Sequence, residues 1–159
     1  MATEQSPRVY EGGVSAEGKR FAIVVSTFNS AVTQKLLDGA LQCFAKHGAR
    51  QVEVFRCPGA YELPQVASHI TRTVKYDAVL CLGAVIRGET PHFDYICQEC
   101  ARGIGRVSYE RDLPVLFGVL TTDTFEQAME RAGGSVGNKG YDTALGAIEM
   151  SNLFTHTIL

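Results

Sequence analysis

Residues Val79 to Cys100 read "VLCLGAVIRGETPHFDYICQEC", and the stretch changes character half-way. Val79 to Ile86 are almost wholly apolar, and then Arg87, Glu89, His92 and Asp94 arrive close together, with Gly88, Thr90 and Pro91 between them. An apolar run that does not alternate belongs to a strand buried on both faces, which is the condition of a strand inside a parallel sheet. Titratable groups directly behind such a strand stand at its carboxyl end. In open parallel α/β sheets that edge is where ligands bind.

Outward from this strand, the chain repeats strand and helix. "FAIVVS" (21–26) is a β-branched apolar run, followed by a helical period from Ser30 to His47 that Gly48 stops. "QVEVFR" (51–56) is a second strand, Cys57-Pro58-Gly59 a turn, and "YELPQVASHITRTV" a helix with Pro64 in its first turn, where proline is tolerated. "DAVLCLGAVI" (77–86) is the third strand, and a helix from about Phe93 to Glu110 follows, weakened by Gly103 and Gly105. "VLFGVLT" (115–121) is the fourth strand, and helices over about Thr124–Ala132 and Tyr141–Phe154 close the pattern. Strand–helix repetition with right-handed crossovers predicts a three-layer α/β/α sandwich around a four-stranded, mainly parallel sheet. Residues 1–18, polar and glycine-rich with Pro7, read as a flexible N-terminal arm, and 19–159 as a single domain.

The composition excludes several classes. The 159 residues are 45% hydrophobic and 20% charged, as in soluble globular domains. A formal net charge of -2 without a basic run argues against a nucleic-acid or anionic-membrane surface. No apolar segment approaches the ~18 residues of a membrane span, and "MATEQSPRVYEGG" lacks the basic start and apolar run of a secretory signal. A cytoplasmic protein is expected. Five cysteines are scattered through apolar segments, the pattern of small buried hydrophobes kept reduced. Cys97 and Cys100 form a C-x-x-C, but it falls inside a helical pattern instead of at a helix start, and no second pair completes a zinc site.

The four strand ends hold the candidates: Thr27-Phe28-Asn29, Cys57 to Glu62, Arg87 to His92, and Thr121-Thr122-Asp123. Phe28 in a strand-to-helix turn either stacks on a heteroaromatic ligand or packs into the core. His92, behind Pro91 at a helix start, either shuttles protons near neutral pH or merely caps the helix. "GETPH" opens a helix whose free N–H groups make an anion site, provided Glu89 points away. Arg131 and Lys139 either clamp a phosphate or stand solvated. His47, His69 and His156 lie away from strand ends and read as surface residues. These residues alone support an α/β protein that binds a small phosphorylated or heteroaromatic ligand.

Five blocks in order, "STFNSAVTQKLLDGA", "CPGAYELP", "LGAVIRGETPHFDYI", "PVLFGVLTTDTFEQAMERAGG" and "GNKGYDTALGAIEM", together resemble the 6,7-dimethyl-8-ribityllumazine synthase family of riboflavin biosynthesis. The resemblance spans about residues 20–155 and implies a flavodoxin-like form of the sandwich. It implies a transferase that condenses 5-amino-6-(D-ribitylamino)uracil with 3,4-dihydroxy-2-butanone 4-phosphate, with neither cofactor nor metal. It further implies that Phe28 stacks on the pyrimidine, and that Ala60, Tyr61 and Glu62 with Ala84, Val85 and Ile86 line the pyrimidine and ribityl pocket. Glu89 and Thr90 would meet the phosphate by backbone N–H, His92 would move protons, and Arg131 with Lys139 nearby would hold the phosphate. Phe117 would come from a neighbouring subunit, so the implied active site is intersubunit. Pentamers, and an icosahedral sixty-subunit shell made of them, are the implied assemblies, with riboflavin synthase a candidate partner. The loop "GGSVGNKG" lacks the insertion that accompanies isolated pentamers, so the shell is expected. Position 89 is often a small residue in the family, and the divergent second type usually has tryptophan where this chain has Phe28, so the ordinary type is expected. The competing readings are a non-catalytic flavin- or lumazine-binding protein and a dithiol redox protein using Cys97 and Cys100.

Overall fold

A computed structural model describes residues 6–157 of the chain. Four strands, β1 (Arg20–Ser26), β2 (Gln51–Cys57), β3 (Ala78–Ile86) and β4 (Val115–Thr122), form one sheet in the order β2-β1-β3-β4. Every pairing in it is parallel. The helices are α1 (Ser30–Lys46), α2 (Leu63–Ile70), α3 (His92–Arg111), α4 (Phe125–Glu130) and α5 (Lys139–Thr157), with one 3₁₀ turn over Ala60–Glu62.

Alternate residues of the central strands feed two cores. Phe21, Ile23 and Val25 of β1 and Leu80 and Leu82 of β3 pack with α1 and α5 on one face, where the rings of Phe21 and Phe44 lie 4.5 Å apart. Ala22, Val24, Val79 and Cys81 pack with α2 and α3 on the other. This is the predicted three-layer sandwich. Strand β2 behaves differently, because it lies at an edge: "QVEVFRC" alternates in sequence and stays largely exposed or half-buried.

Departures from the sequence reading have local causes. Helix α2 stops at Ile70, four residues short of the expected Val74, where Thr71 turns its hydroxyl onto the carbonyl of Ala67 (2.7 Å) and β-branched residues follow. Helix α4 stops at Glu130, and the next residues, expected as helix and loop, form a short antiparallel pair, β5 (Ala132–Gly134) and β6 (Gly137–Asn138). Strands of this length carry no readable periodicity. Helix α5 starts two residues early, because Asn138 accepts from the N–H of Tyr141 (3.1 Å) and so caps it. The same side chain donates to the carbonyl of Lys35 in α1 (3.1 Å), tying the two helices at their crossing.

Within the expected arm, residues 1–5 lie outside the described residues, and residues 6–18 form neither helix nor strand. Asn152 of α5 donates to the carbonyls of Gly13 (2.7 Å) and Ser15 (2.9 Å), and Ala16 is fully buried in the α1–α5 core. The domain's packing therefore reaches back at least to Ala16. Among the described residues, no helix is long and apolar enough to cross a membrane.

The α1–α5 crossing depends on a missing side chain: a Cβ on Gly140 would stand 1.9 Å from the carbonyl oxygen of Leu36, which is backbone and cannot step aside. Gly140→Ala is expected to destabilise the fold by about 1–3 kcal/mol despite alanine's better helix propensity. Urea unfolding checks this, and an unchanged midpoint would remove the crossing from the list of close contacts.

Candidate active site

Because β1, β2 and β3 run the same way, their ends deliver three loops to one edge, and these loops enclose a cavity of about 650 Å³. The loops are stitched together. The N–H groups of Thr27 and Phe28 donate to the carbonyls of Cys57 (2.8 Å) and Pro58 (2.9 Å), joining the ends of β1 and β2. Asn29 adopts the left-handed conformation (φ 61°, ψ 47°), and its side chain donates to the carbonyl of Ala84 (2.8 Å) at the end of β3. A non-glycine residue held in that region stores strain that must be offset by its surroundings, a condition that favours functional turns.

This stitching aims Phe28 away from both cores. Its ring is 71% exposed and lines the cavity, which rules out the core-packing alternative. The 3₁₀ turn brings Ala60, Tyr61 and Glu62 to the same cavity, and the last turns of β3 bring Ala84, Val85 and Ile86. The loop before α3 adds Gly88 and Thr90, and the helix start adds His92, the first helical residue and exposed. An exposed imidazole beside the open N–H groups of a helix start can exchange protons with a bound molecule. The cavity's titratable side chains are thus Glu62, Tyr61 and His92, set among apolar walls.

Four predicted site residues stand elsewhere in the single chain. Glu89 is exposed and outside the cavity lining, although its neighbours Gly88 and Thr90 belong to it. Phe117 lies on edge strand β4, 40% exposed, on the sheet face that α2 and α3 cover further in. Arg131 and Lys139 line a separate depression of about 330 Å³ with Thr121, Thr122, Val136 and Asp142. There Arg131 donates to the carbonyl of Gln127 (3.0 Å) and approaches Glu130 (3.7 Å).

Phe93 and Ile96 also line the cavity and escaped the sequence reading, whereas Asn29 and Gly59, which line it too, stood among the strand-end candidates without a role. Asn29 had a signal, since asparagine tolerates the left-handed region and follows directly on a strand. Phe93 and Ile96, three apart on α3, looked like ordinary helix-core residues.

The C-x-x-C pair does not form a reactive dithiol. Cys100 is fully buried, and burial pushes its thiol up to about 12; burial also raises the thiol of Cys97. Burial likewise pushes Cys43 and Cys57 up to about 11. Raised thiols carry little thiolate and react slowly. His47 sits half-buried with Nδ1 2.7 Å from the carbonyl of Cys43, while His69 and His156 are exposed on helices away from the cavity.

A doubly covered parallel sheet with such a cavity at its carboxyl edge defines an α/β protein that binds small molecules, and the exposed ring and imidazole on that cavity equip it for chemistry on a flat ligand. Residues 18–155 match the family of 6,7-dimethyl-8-ribityllumazine synthase. The 6,7-dimethyl-8-ribityllumazine synthase of Desulfatibacillum aliphaticivorans is 56% identical over 149 residues, covering 92% of this chain and 96% of that protein. That of Clostridium kluyveri (strain ATCC 8527) is 55% identical over 148 residues, with the same shares covered. The chain therefore belongs to the 6,7-dimethyl-8-ribityllumazine synthase family, transferases of riboflavin biosynthesis.

The exposure of Phe28 generates a direct test. Phe28→Ala is expected to weaken binding of a pyrimidine ligand by about 1 kcal/mol, or about fivefold, whereas Phe28→Tyr and Phe28→Trp keep most of it, because stacking needs only a flat ring. Calorimetric titration checks this; an alanine variant with full affinity would deny Phe28 any contact with the ligand.

Proposed function

We propose that this chain condenses 5-amino-6-(D-ribitylamino)uracil with 3,4-dihydroxy-2-butanone 4-phosphate, releasing phosphate and water, in the cavity between Phe28 and the start of α3. The observation that carries the reading is the meeting, on one cavity, of an exposed aromatic platform and an exposed imidazole. The pyrimidine stacks on Phe28, and backbone groups of Ala60, Tyr61, Glu62, Ala84, Val85 and Ile86 hold its polar edge and the ribityl chain. The amine attacks the ketone; His92 carries protons while water leaves to give the imine and while phosphate is eliminated, after which the second nitrogen closes the ring on the remaining carbonyl and a second water leaves. The N–H groups of Glu89 and Thr90 face the phosphate, with the Glu89 side chain turned away from it.

A second copy of the chain completes the site. Phe117, Arg131 and Lys139 do not reach the cavity of their own chain, and Phe117 is a large ring left partly bare beside an edge strand. Arg131 and Lys139 supplied from a neighbour would hold the phosphate bidentately opposite the α3 start. The reading favours pentamers closed into an icosahedral sixty-subunit shell in the cytoplasm, with riboflavin synthase a candidate partner.

The absorbance of lumazine after mixing the two substrates tests the reaction; bound pyrimidine without product would mark a passive binder. Two variants test the roles. Much of the gain comes from holding an amine beside a ketone that already react slowly unaided, so His92→Ala is expected to lose roughly ten- to a hundredfold in kcat, at the low end of general acid–base effects. Arg131→Ala is expected to raise KM for the butanone phosphate by the equivalent of about 2–3 kcal/mol and leave that for the pyrimidine nearly unchanged. Full kcat in the first, or equal KM effects in the second, would cancel the corresponding role.

A further inference from the structure

Arg87 is the first residue beyond β3, and its contacts join two segments, the β4–α4 turn and the first turn of α3. Its N–H donates to the carbonyl of Thr122 (2.9 Å) at the end of β4. Its guanidinium lies over the ring of Phe93, 4.4 Å from the centroid. Nε donates to Asp123 (3.0 Å), and Nη1 approaches Asp94 (3.5 Å). Asp123 is fixed in turn, since its N–H donates to the side chain of Gln127 (2.9 Å), which belongs to the capping box that opens α4.

Exposed ion pairs add little to stability singly. Here one planar group uses its fork and its face together, which fixes an orientation as well as a distance. What it orients is the first turn of α3. Phe93 is nearly buried and lines the cavity, Asp94 follows it, and His92 precedes it. Residues 88–91 span the gap between β3 and this turn without helix or strand. Arg87, stacked on Phe93 and paired to Asp94, holds both sides of that gap.

We infer that Arg87 is a positioning residue that acts through His92: by clamping Phe93 and Asp94 to the β4–α4 turn, it sets where the imidazole meets the reacting molecule. The inference rests on the proposed role of His92, and the experiment separates the two. Steady-state kinetics, melting temperature and particle size are measured for Arg87→Ala, Arg87→Lys, Asp94→Asn, His92→Ala and the double variant Arg87→Ala/His92→Ala.

A displaced catalytic group can cost on the order of a hundredfold, and a loosened one less, so Arg87→Ala is expected to lose about tenfold in kcat with KM for the pyrimidine within about threefold of the parent. Arg87→Lys keeps the charge and the assembly but not the flat fork, and is expected to stay low in kcat. In the His92→Ala background, Arg87→Ala is expected to cost nothing further. An unchanged kcat in Arg87→Ala, or a full additional loss in the double variant, overturns the inference. Full kcat in His92→Ala instead overturns the role of His92, whatever Arg87 does. Should Arg87→Ala not assemble, Arg87→Lys and Asp94→Asn decide: lowered kcat in assembled protein supports the clamp, and parental kcat in both overturns it.

Discussion

Strand β3 is paired in parallel on both sides, with β1 in the register Phe21 to Ala78 and with β4 in the register Val79 to Val115, and helices cover both of its faces. A strand enclosed in this way has no solvent face, so between Ala78 and Ala84 every side chain must be apolar or very small. Polar groups can enter only where the strand leaves the sheet. Parallel neighbours must leave at the same edge, so the turns after β1, β2 and β3 are brought together without any further instruction.

Those turns then stiffen one another. Asn29 bridges the end of β1 to Ala84 of β3, and the Thr27 and Phe28 amides bridge it to the end of β2. Each link satisfies a backbone group that the sheet leaves unpaired at its edge. The result is a cavity whose walls are mainly apolar surface, with few side chains that can titrate. Such a site suits a reaction in which most of the gain comes from holding two partners in contact and little from charge.

Much of this was legible in the sequence, for a stated reason in each case. Strands β1 and β3 were readable because burial on both faces leaves an unbroken apolar run, β4 because its run is as apolar although it lies half-exposed at the sheet edge, and Phe28 and His92 because the strand-end rule said where to look. The segment "QVEVFR" was readable as a strand, but its edge position, which its alternation fits, came only with the sheet order. The β5–β6 pair was invisible because it is too short for a period, and the cap at Asn138 was obscured by its place in the glycine-rich run "GNKG". Phe93 looked like core because one face of it is. The positions of Phe117, Arg131 and Lys139 could be read as strand edge and helix end, but the sequence pattern alone said nothing about which cavity they serve.

That question bears on the central claim, that the site is built from two half-sites on different copies of the chain. In this proposal one half carries Phe28 and His92; the other would carry Phe117 on its edge strand, with Arg131 and Lys139 in a depression of their own. Subunit complementation tests the claim most directly. His92→Ala and Arg131→Ala chains, dissociated, mixed in equal amounts and reassembled, would be assayed at low butanone phosphate. If neighbouring copies share each site, about a quarter of the sites in a random mixture recover both intact halves, and activity rises well above the mean of the two parents. If both residues serve a site within one chain, no intact site can form, and activity stays at that mean.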